Sequence, residues 1–346
     1  MKTKIIKINP NNLEITKIKM AAKILRNGGL VAFPTETVYG LGADALNPKA
    51  VKKIYKTKGR PFDNPLIIHI ANKREIYRLI KELPKDTRKL MDKFWPGPLS
   101  LVFKKSKIVP QITTAETNTI AIRIPANKIA LALIKEARGP IAAPSANLFG
   151  KPSPTRAEHV ISDLYGKVDA IIDGGITKIG IESTVLDLTT NPPTLLRPGG
   201  ISLEELKEVL GKIEIHPLLK EKKIKKIVVK SPGMKYKHYA PKAKIIVVKG
   251  KYARVKKKIQ QLVDKYRKKE KIVGVMTADE KHNYKANVIK FMGNEFNTIA
   301  KNLFNNFRDF DKEKVDLIIV EGVSDKGLGL AIMNRLKRAS SKTIKV

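Results

Sequence analysis

Short apolar runs alternate with helical patterns along the first part of the chain. The first helix is predicted by apolar residues at helical spacing: Ile15, Ile18, Ala21, Ala22 and Leu25. The glycine-rich segment Asn27-Gly28-Gly29 predicts its end. Buried strands are predicted by the apolar runs Leu30–Phe33, Leu66–Ile70, Leu99–Phe103, Thr119–Ile124, Ile141–Ala143, Ala170–Asp173 and Ser183–Leu188. Helices fit between several of them, for example over Ala50–Lys56 and Ala130–Ala137. This alternation predicts an α/β layer fold rather than a bundle or a sandwich.

The pattern changes near residue 211 and later starts again. His216–Lys230 is dense in lysine, and Ser231–Ala243 adds two prolines and a glycine, as is typical of a linker. Strand and helix patterns then resume over Lys244–Val248, Lys271–Met276, Val288–Met292, Asn294–Phe307, Val315–Val320 and Gly329–Ser340. We therefore predict one domain over 1–212, a basic linker over 213–241 and a smaller parallel-sheet domain over 242–346.

The composition limits the class of protein. The 346 residues include 69 Lys+Arg and 32 Asp+Glu, which gives a formal net charge of +37. This excess favours polyanionic partners, although solvated lysine faces explain it equally well. No cysteine is present, so disulfides and thiolate metal sites are excluded. No apolar run approaches the ~18 residues of a membrane span and no signal peptide is visible, so we expect a cytosolic protein.

The familiar nucleotide-binding fingerprints do not fit. Gly40–Ala45 matches the Rossmann pattern in its alanine-ended form, but it follows the polar loop Pro34–Thr37. The acidic residue after it, Asp63, lies in another polar loop. Tight backbone packing or a turn is the better interpretation of these glycines.

Two couples of polar residues indicate an anion site. Lys58 and Arg60 follow a predicted helix, and alternation would place both cations on one side of an extended backbone as a phosphate clamp. Ser145 and Asn147 would project together from the end of the strand Ile141–Ala143, where open α/β sheets bind ligands. Taken singly, each couple more commonly has a structural role.

Other polar residues interrupt apolar runs. Arg123 stands inside the strand Thr119–Ile124 and needs a partner or a ligand carboxylate. His69 lies in another strand, where a buried structural histidine is the commoner case. The remaining histidines, His159, His216, His238 and His282, show no ligand spacing, so no protein-built metal site is expected. With no nucleophile elbow or catalytic triad, the residues indicate an anion-binding α/β enzyme that acts on ATP.

Six ordered blocks carry a family resemblance: Gly28–Ala45, Lys56–Ile70, Phe94–Val102, Ile141–Thr155, Gly180–Leu188 and Leu195–Ser202. Together they resemble the YrdC-like threonylcarbamoyl-adenylate synthases, and Ser231–Ala243 with Gly327–Ser340 resembles the long, two-domain form. The resemblance implies a twisted mixed sheet with helices around a concave basic cavity, followed by a Rossmann-like parallel-sheet domain.

The resemblance also implies a reaction. L-Threonine, bicarbonate or carbon dioxide, and ATP with its Mg²⁺ would give threonylcarbamoyl-adenylate and pyrophosphate. A downstream threonylcarbamoyl transferase complex would use the product to modify tRNA. Direct contact with tRNA or double-stranded RNA stays open, and no membrane partner is implied.

Individual roles follow from the same resemblance. Lys58, Arg60, Ser145 and Asn147 would be catalytic and surround the phosphates. ATP would also contact Asn64, Thr119, Ser153, Arg197 and Tyr236, the last of these from the linker. Threonine would be held by Thr37, His69, Arg123, Ser183 and the backbone of Ala143.

Three alternatives remain at this point. A non-enzymatic RNA binder would suit the charge, but shape-based RNA binding needs no such small-molecule constellation. The related carbamoyltransferase module of hydrogenase maturation occurs in a longer chain with cysteine-rich segments, whereas this sequence has no cysteine. A regulatory nucleotide sensor would bind ATP without turning it over.

Overall fold

The computed structural model describes residues 2–220, 230–232, 235–236, 238–281 and 283–346. The chain forms two compact units. The first contains Met1–Phe149 and Ser153–Tyr236, and the second contains Gly150–Pro152 and Lys237–Val346. The predicted linker over 213–241 lies partly outside the described residues, and its bounds and those of both domains remain predictions.

The first unit is built around one mixed sheet. Its strands are β1 (Lys4–Lys7), β2 (Val31–Phe33), β3 (Gly40–Asp44), β4 (Ile67–His69), β5 (Leu99–Lys104), β6 (Thr119–Arg123), β7 (Ile141–Ala142), β8 (Ala170–Asp173), β9 (Thr184–Asp187), β10 (Thr194–Arg197) and β11 (Glu214–Ile215). Its helices are α1 (Ile15–Arg26), α2 (Pro48–Lys58), α3 (Ile76–Leu79), α4 (Thr87–Phe94), α5 (Lys128–Ala137), α6 (Ala157–Leu164) and α7 (Leu203–Leu210).

The strand order places the candidate residues on neighbouring strands. Across the sheet the order is β1-β8-β2-β3-β7-β4-β6-β5-β9-β10-β11. The centre is mixed, because β4 pairs parallel with β6 whereas β6 pairs antiparallel with β5. The register aligns His69 with Arg123, so both side chains lie on the same face of the sheet.

Local chemistry explains where the elements begin and end. Helix α2 is capped at its start by Asn47, whose side chain accepts hydrogen bonds from two backbone amides of the first turn. Gly59, in the left-handed conformation (φ 63°), caps its end. Helices α1 and α5 pack their apolar faces on the sheet through residues such as Leu25 and Leu133. Gly42 lies where a Cβ would come within 2.8 Å of the Phe33 ring, which confirms tight packing as its role.

The second unit is a smaller parallel sheet. Its strands are β12 (Lys244–Lys249), β13 (Val273–Thr277), β14 (Val288–Phe291), β15 (Leu317–Glu321) and β16 (Lys342–Lys345), in the order β14-β13-β15-β12-β16. Its helices are α8 (Tyr252–Arg267), α9 (Phe296–Lys312) and α10 (Leu328–Ala339). Every strand pair is parallel, as the sequence pattern predicted.

The predicted elements are confirmed with small shifts at their ends, and the fold class is a mixed α/β sheet followed by a parallel sheet. One local prediction is wrong. Lys58 and Arg60 do not alternate along an extended backbone, because α2 continues to Lys58 and Gly59 turns the chain.

Among the described residues, none of the helices is both long and apolar enough to cross a membrane.

Candidate functional site

Lys58 and the Ser145–Asn147 segment form one unit of the candidate site. The ammonium of Lys58, at the buried end of α2, donates to the backbone carbonyls of Ser145 and Asn147. Phe149 returns a backbone hydrogen bond to the Lys58 carbonyl at 2.9 Å. Lys58 therefore holds this segment in place as well as supplying positive charge beside it.

Arg60 stabilises the turn that carries Asn64. Its Nε donates to the Asn64 carbonyl at 3.1 Å, and its Nη2 donates to the Pro65 carbonyl at 2.9 Å. The Asn64 side chain is only 1% exposed, yet neither its amide nitrogen nor its oxygen has a hydrogen-bond partner among the described residues. A buried amide of this kind is a natural contact for a bound molecule.

Arg123 is the centre of a second buried polar group. Its Nη1 donates to the hydroxyl of Thr37 at 3.0 Å, and its Nε donates to the Gly97 carbonyl at 3.2 Å. Its Nη2 lies 2.6 Å from a carboxylate oxygen of Glu36. The chain thus supplies a carboxylate partner for Arg123, one of the two options, partner or ligand, that its place in an apolar strand predicted.

His69 lies beside Arg123 as a neutral ring. Burial, together with the Arg123 charge, lowers the pKa of His69 to about 3. In the neutral ring, Nδ1 can donate to the Ile67 carbonyl at 3.2 Å, which makes Nε2 a hydrogen-bond acceptor. His69 can therefore accept a hydrogen bond from a hydroxyl or an amine, but it carries no charge near neutral pH.

Ser183 and Arg197 come together at the junction of β9 and β10. Arg197 donates from Nε to the Ser183 carbonyl and from Nη2 to the Ser183 hydroxyl, each at 3.1 Å. The hydroxyl of Ser100 lies 2.8 Å from that of Ser183. Gly199 permits this packing, since a Cβ there would lie within 2.4 Å of three backbone atoms of residues 182–184.

The loop from Pro34 to Tyr39 connects these groups. Ile179 and Gly180 donate backbone hydrogen bonds to the carbonyls of Glu36 and Thr37 at 2.8 and 3.0 Å. On the other side, Ala146 donates to the carbonyl of Tyr39 at 2.8 Å. The loop therefore contacts both the segment held by Lys58 and the segment that leads to Ser183.

Ala143 and Ser153 have defined local partners. The amide of Ala143 donates to the Ile67 carbonyl at 2.9 Å, which leaves its carbonyl as the backbone group able to contact a ligand. The buried hydroxyl of Ser153 donates to the carboxylate of Glu182.

Tyr236 is anchored at the edge of the turn after α2. Its hydroxyl donates to the Asp63 carboxylate at 2.6 Å, and Lys235 forms an ion pair with the same carboxylate at 2.6 Å. The Tyr236 ring meets the Phe149 ring edge-on at 5.6 Å. These contacts from Lys235 and Tyr236 hold the pKa of Asp63 below its ordinary value.

Thr119 is one of the predicted residues that no hydrogen bond joins to another candidate in the described part of the chain. It lies at the start of β6, whereas Arg123 ends that strand, about 13 Å away at the ordinary rise of a strand. Its hydroxyl lies 3.4 Å from that of Thr117. Among the described residues it has no hydrogen bond to another candidate.

Sequence reasoning missed four polar residues that complete the site: Glu36, Asp63, Ser100 and Glu182. Two of them left a signal in the sequence. Glu36 stands between two threonines in a loop that the structure buries, and Ser100 interrupts the apolar run Leu99–Phe103.

Metal ligands are not clustered in the part of the chain that the structure describes, where no three His, Asp or Glu side chains come together. His282 lies outside those residues.

The candidate residues thus bring buried cations, hydroxyls and amides together on one α/β sheet, a set of groups suited to binding anions. Residues 23–199 match the Sua5/YciO/YrdC family model, described as telomere recombination. Residues 201–341 match the model for the C-terminal domain of threonylcarbamoyl-AMP synthase.

Relatives that align with nearly the whole chain agree with the two family models. The chain is 53% identical to a threonylcarbamoyl-AMP synthase of Pyrococcus abyssi, covering 96% of both chains, and 49% identical to one of Bacillus subtilis, covering 94% of this chain and 93% of the relative. A crystal structure of P. abyssi Sua5 complexed with L-threonine superposes with a TM-score of 0.95 at 52% identity, over 99% of this chain and all of that one.

The chain belongs to the Sua5/YrdC family of threonylcarbamoyl-AMP synthases and is an enzyme of the nucleotidyltransferase type. The alternative of a non-enzymatic RNA binder is therefore wrong.

Proposed function

We propose that this enzyme converts L-threonine, bicarbonate or carbon dioxide, and MgATP into threonylcarbamoyl-AMP and pyrophosphate, and that the product serves the modification of tRNA. The observation that supports the proposal is the buried group that Arg123 forms with Thr37 and His69. The loop that carries Thr37 also contacts the segment that contains Ser145 and is held by Lys58. The first group suits an amino acid, and the second suits a polyphosphate.

The proposed chemistry needs no enzyme nucleophile. The threonine amine takes up carbon dioxide to give an N-carboxylate, one proton leaving the nitrogen. A carboxylate oxygen then attacks the α-phosphorus of ATP, a new P–O bond forms, and the bond to the pyrophosphate oxygen breaks. Lys58, Arg60 and Arg197 would neutralise the developing charge, while Ser145 and Asn147 would orient the phosphates.

The edge of the site would limit access of water. Tyr236, anchored by Asp63 and packed on Phe149, would help to cover the nucleotide and protect a labile adenylate from hydrolysis. Mg²⁺ would enter on the triphosphate and polarise its oxygens. Ser153, Asn64 and Thr119 would complete the ATP site.

The direct test is the release of pyrophosphate from ATP by the purified protein without RNA. We expect release that requires both L-threonine and bicarbonate. Release that is independent of threonine would refute the proposed substrate, and bound ATP that never turns over would favour a nucleotide sensor.

A further inference from the structure

The carboxylate of Glu36 has an unusual environment. Glu36 is 4% exposed, and one of its oxygens lies 2.6 Å from Nη2 of Arg123. Even so, neither oxygen has a hydrogen-bond donor in suitable geometry among the described residues. A buried carboxylate offers about four acceptor positions, and leaving them unused is costly. The site therefore has a fixed negative charge with free acceptor capacity.

Hydrogen bonds within the loop and to residues 179–180 fix the backbone that carries this carboxylate. The backbone carbonyls of Glu36 and Thr37 accept hydrogen bonds from Ile179 and Gly180. The Thr35 hydroxyl also donates to the Val38 carbonyl at 2.6 Å within the same turn. Glu36 is thus preorganised beside Arg123, and its open acceptor positions do not result from a poorly fixed loop.

The Arg123–Glu36 pair matches the head group of an α-amino acid. Such a molecule carries a carboxylate and an ammonium on one carbon, so its two charges lie side by side. A guanidinium and a carboxylate 2.6 Å apart present the opposite pair of charges. Arg123 can take the carboxylate, and the free acceptors of Glu36 can take the N–H groups of the ammonium.

We propose that Glu36 binds the α-ammonium group of the amino-acid substrate and thereby determines that an amino acid, rather than a plain carboxylic acid, occupies the pocket beside Arg123. This inference rests on the proposed function, since it assigns a contact within that threonine site. It also fixes the position of the nitrogen, which loses one proton to become the free amine before it takes up carbon dioxide and a second as the N-carboxylate forms.

The experiment compares two ligands that differ only in the amine. L-Threonine and (R)-3-hydroxybutyrate share the carboxylate, the hydroxyl and the methyl group. Calorimetric binding to the full chain without ATP should show the wild type preferring L-threonine. Glu36→Gln should lose about 10- to 100-fold in affinity for L-threonine, the range of one charged hydrogen bond.

The same variant should bind (R)-3-hydroxybutyrate equally or more tightly, because Arg123 then has no competing carboxylate. A parallel loss for both ligands would mean that Glu36 only positions Arg123, and it would overturn the proposal. Glu205→Gln, which removes a carboxylate from the capping box of α7, is the matched control and should change neither affinity.

Removing a buried counter-charge can also unfold a protein. Glu36→Asp keeps the charge and should retain part of the preference, and circular dichroism monitors folding of each variant. If neither variant folds, the test is the comparison of the two ligands on the wild-type protein, because equal affinity for them would refute an ammonium contact. Threonine-dependent pyrophosphate release by the wild type separates failure of this inference from failure of the proposed function.

Discussion

Arg197 and Ser183 are joined by two hydrogen bonds, both 3.1 Å long, from one guanidinium to the carbonyl and the hydroxyl of a single serine. The family resemblance implies that Arg197 contacts ATP and that Ser183 contacts threonine. The two predicted half-sites are therefore coupled through one pair of residues.

This coupling predicts that Arg197→Lys raises the KM for L-threonine as well as that for ATP. A lysine cannot make the forked pair of bonds, so Ser183 would lose its orientation. The check is steady-state kinetics with each substrate varied in turn. Arg138→Lys, at an exposed position outside the site, is the control. An effect confined to ATP would show that the half-sites are independent.

Lys58→Ala should lower kcat by about two orders of magnitude or more, since it removes a buried charge and the support of the Ser145–Asn147 segment. Pyrophosphate release measures the effect. Lys56→Ala removes an exposed lysine of the same helix and should leave the rate unchanged. Near-normal turnover by Lys58→Ala, with the fold intact by circular dichroism, would remove Lys58 from the mechanism.

Asp63→Asn should raise the KM for ATP by a few-fold with little change in kcat, because the anchor of Tyr236 and Lys235 is exposed and such pairs are weak. The increase should shrink at high salt, where the ion pair is already screened. Asp92→Asn breaks an ion pair of the same length, with Lys73, elsewhere on the surface and serves as control. An unchanged KM at low salt would exclude this anchoring role.

His69 should make stability depend on pH. Its pKa is about 3 in the folded chain and near 6.5 when unfolded, so the unfolded chain binds the extra proton between these values. The free energy of unfolding therefore falls as the pH drops below 6.5, with a limiting slope of about 1.4 kcal/mol per pH unit from this group. Above pH 6.5 the His69 ring is neutral in both the folded and the unfolded chain, so none of this stability is lost.

Urea denaturation at a series of pH values checks this dependence. His69→Asn should reduce the slope, whatever its stability at neutral pH, because asparagine does not titrate there. Equal slopes for wild type and variant would contradict a neutral, buried His69.

The sequence predicted much of the fold because most strands are short apolar runs with clear ends, as at Ala170–Asp173, whose bounds the structure reproduces. Strand β3 was not predicted, since its glycines resemble a turn. One of them, Gly42, is in fact required by the Phe33 ring. The end of α2 was also predicted incorrectly, because the sequence pattern did not reveal that the helix extends to Lys58 and that Gly59 then turns the chain.

The candidate site was predictable where a charge interrupts an apolar strand, as at Arg123. Its partner Glu36 was not, because the contact joins β6 to a loop 87 residues earlier (123 − 36), and no local pattern records such a distance. The same holds for Ser100, whose hydroxyl lies 2.8 Å from that of the predicted residue Ser183 on a neighbouring segment of the sheet.

The most direct test of the account follows radiolabelled bicarbonate in a reaction with MgATP, with and without L-threonine and without RNA. We expect label in an adenylate that forms only when threonine is present, in step with pyrophosphate. Pyrophosphate release without label in the nucleotide product, or label incorporated without threonine, would contradict the proposed function.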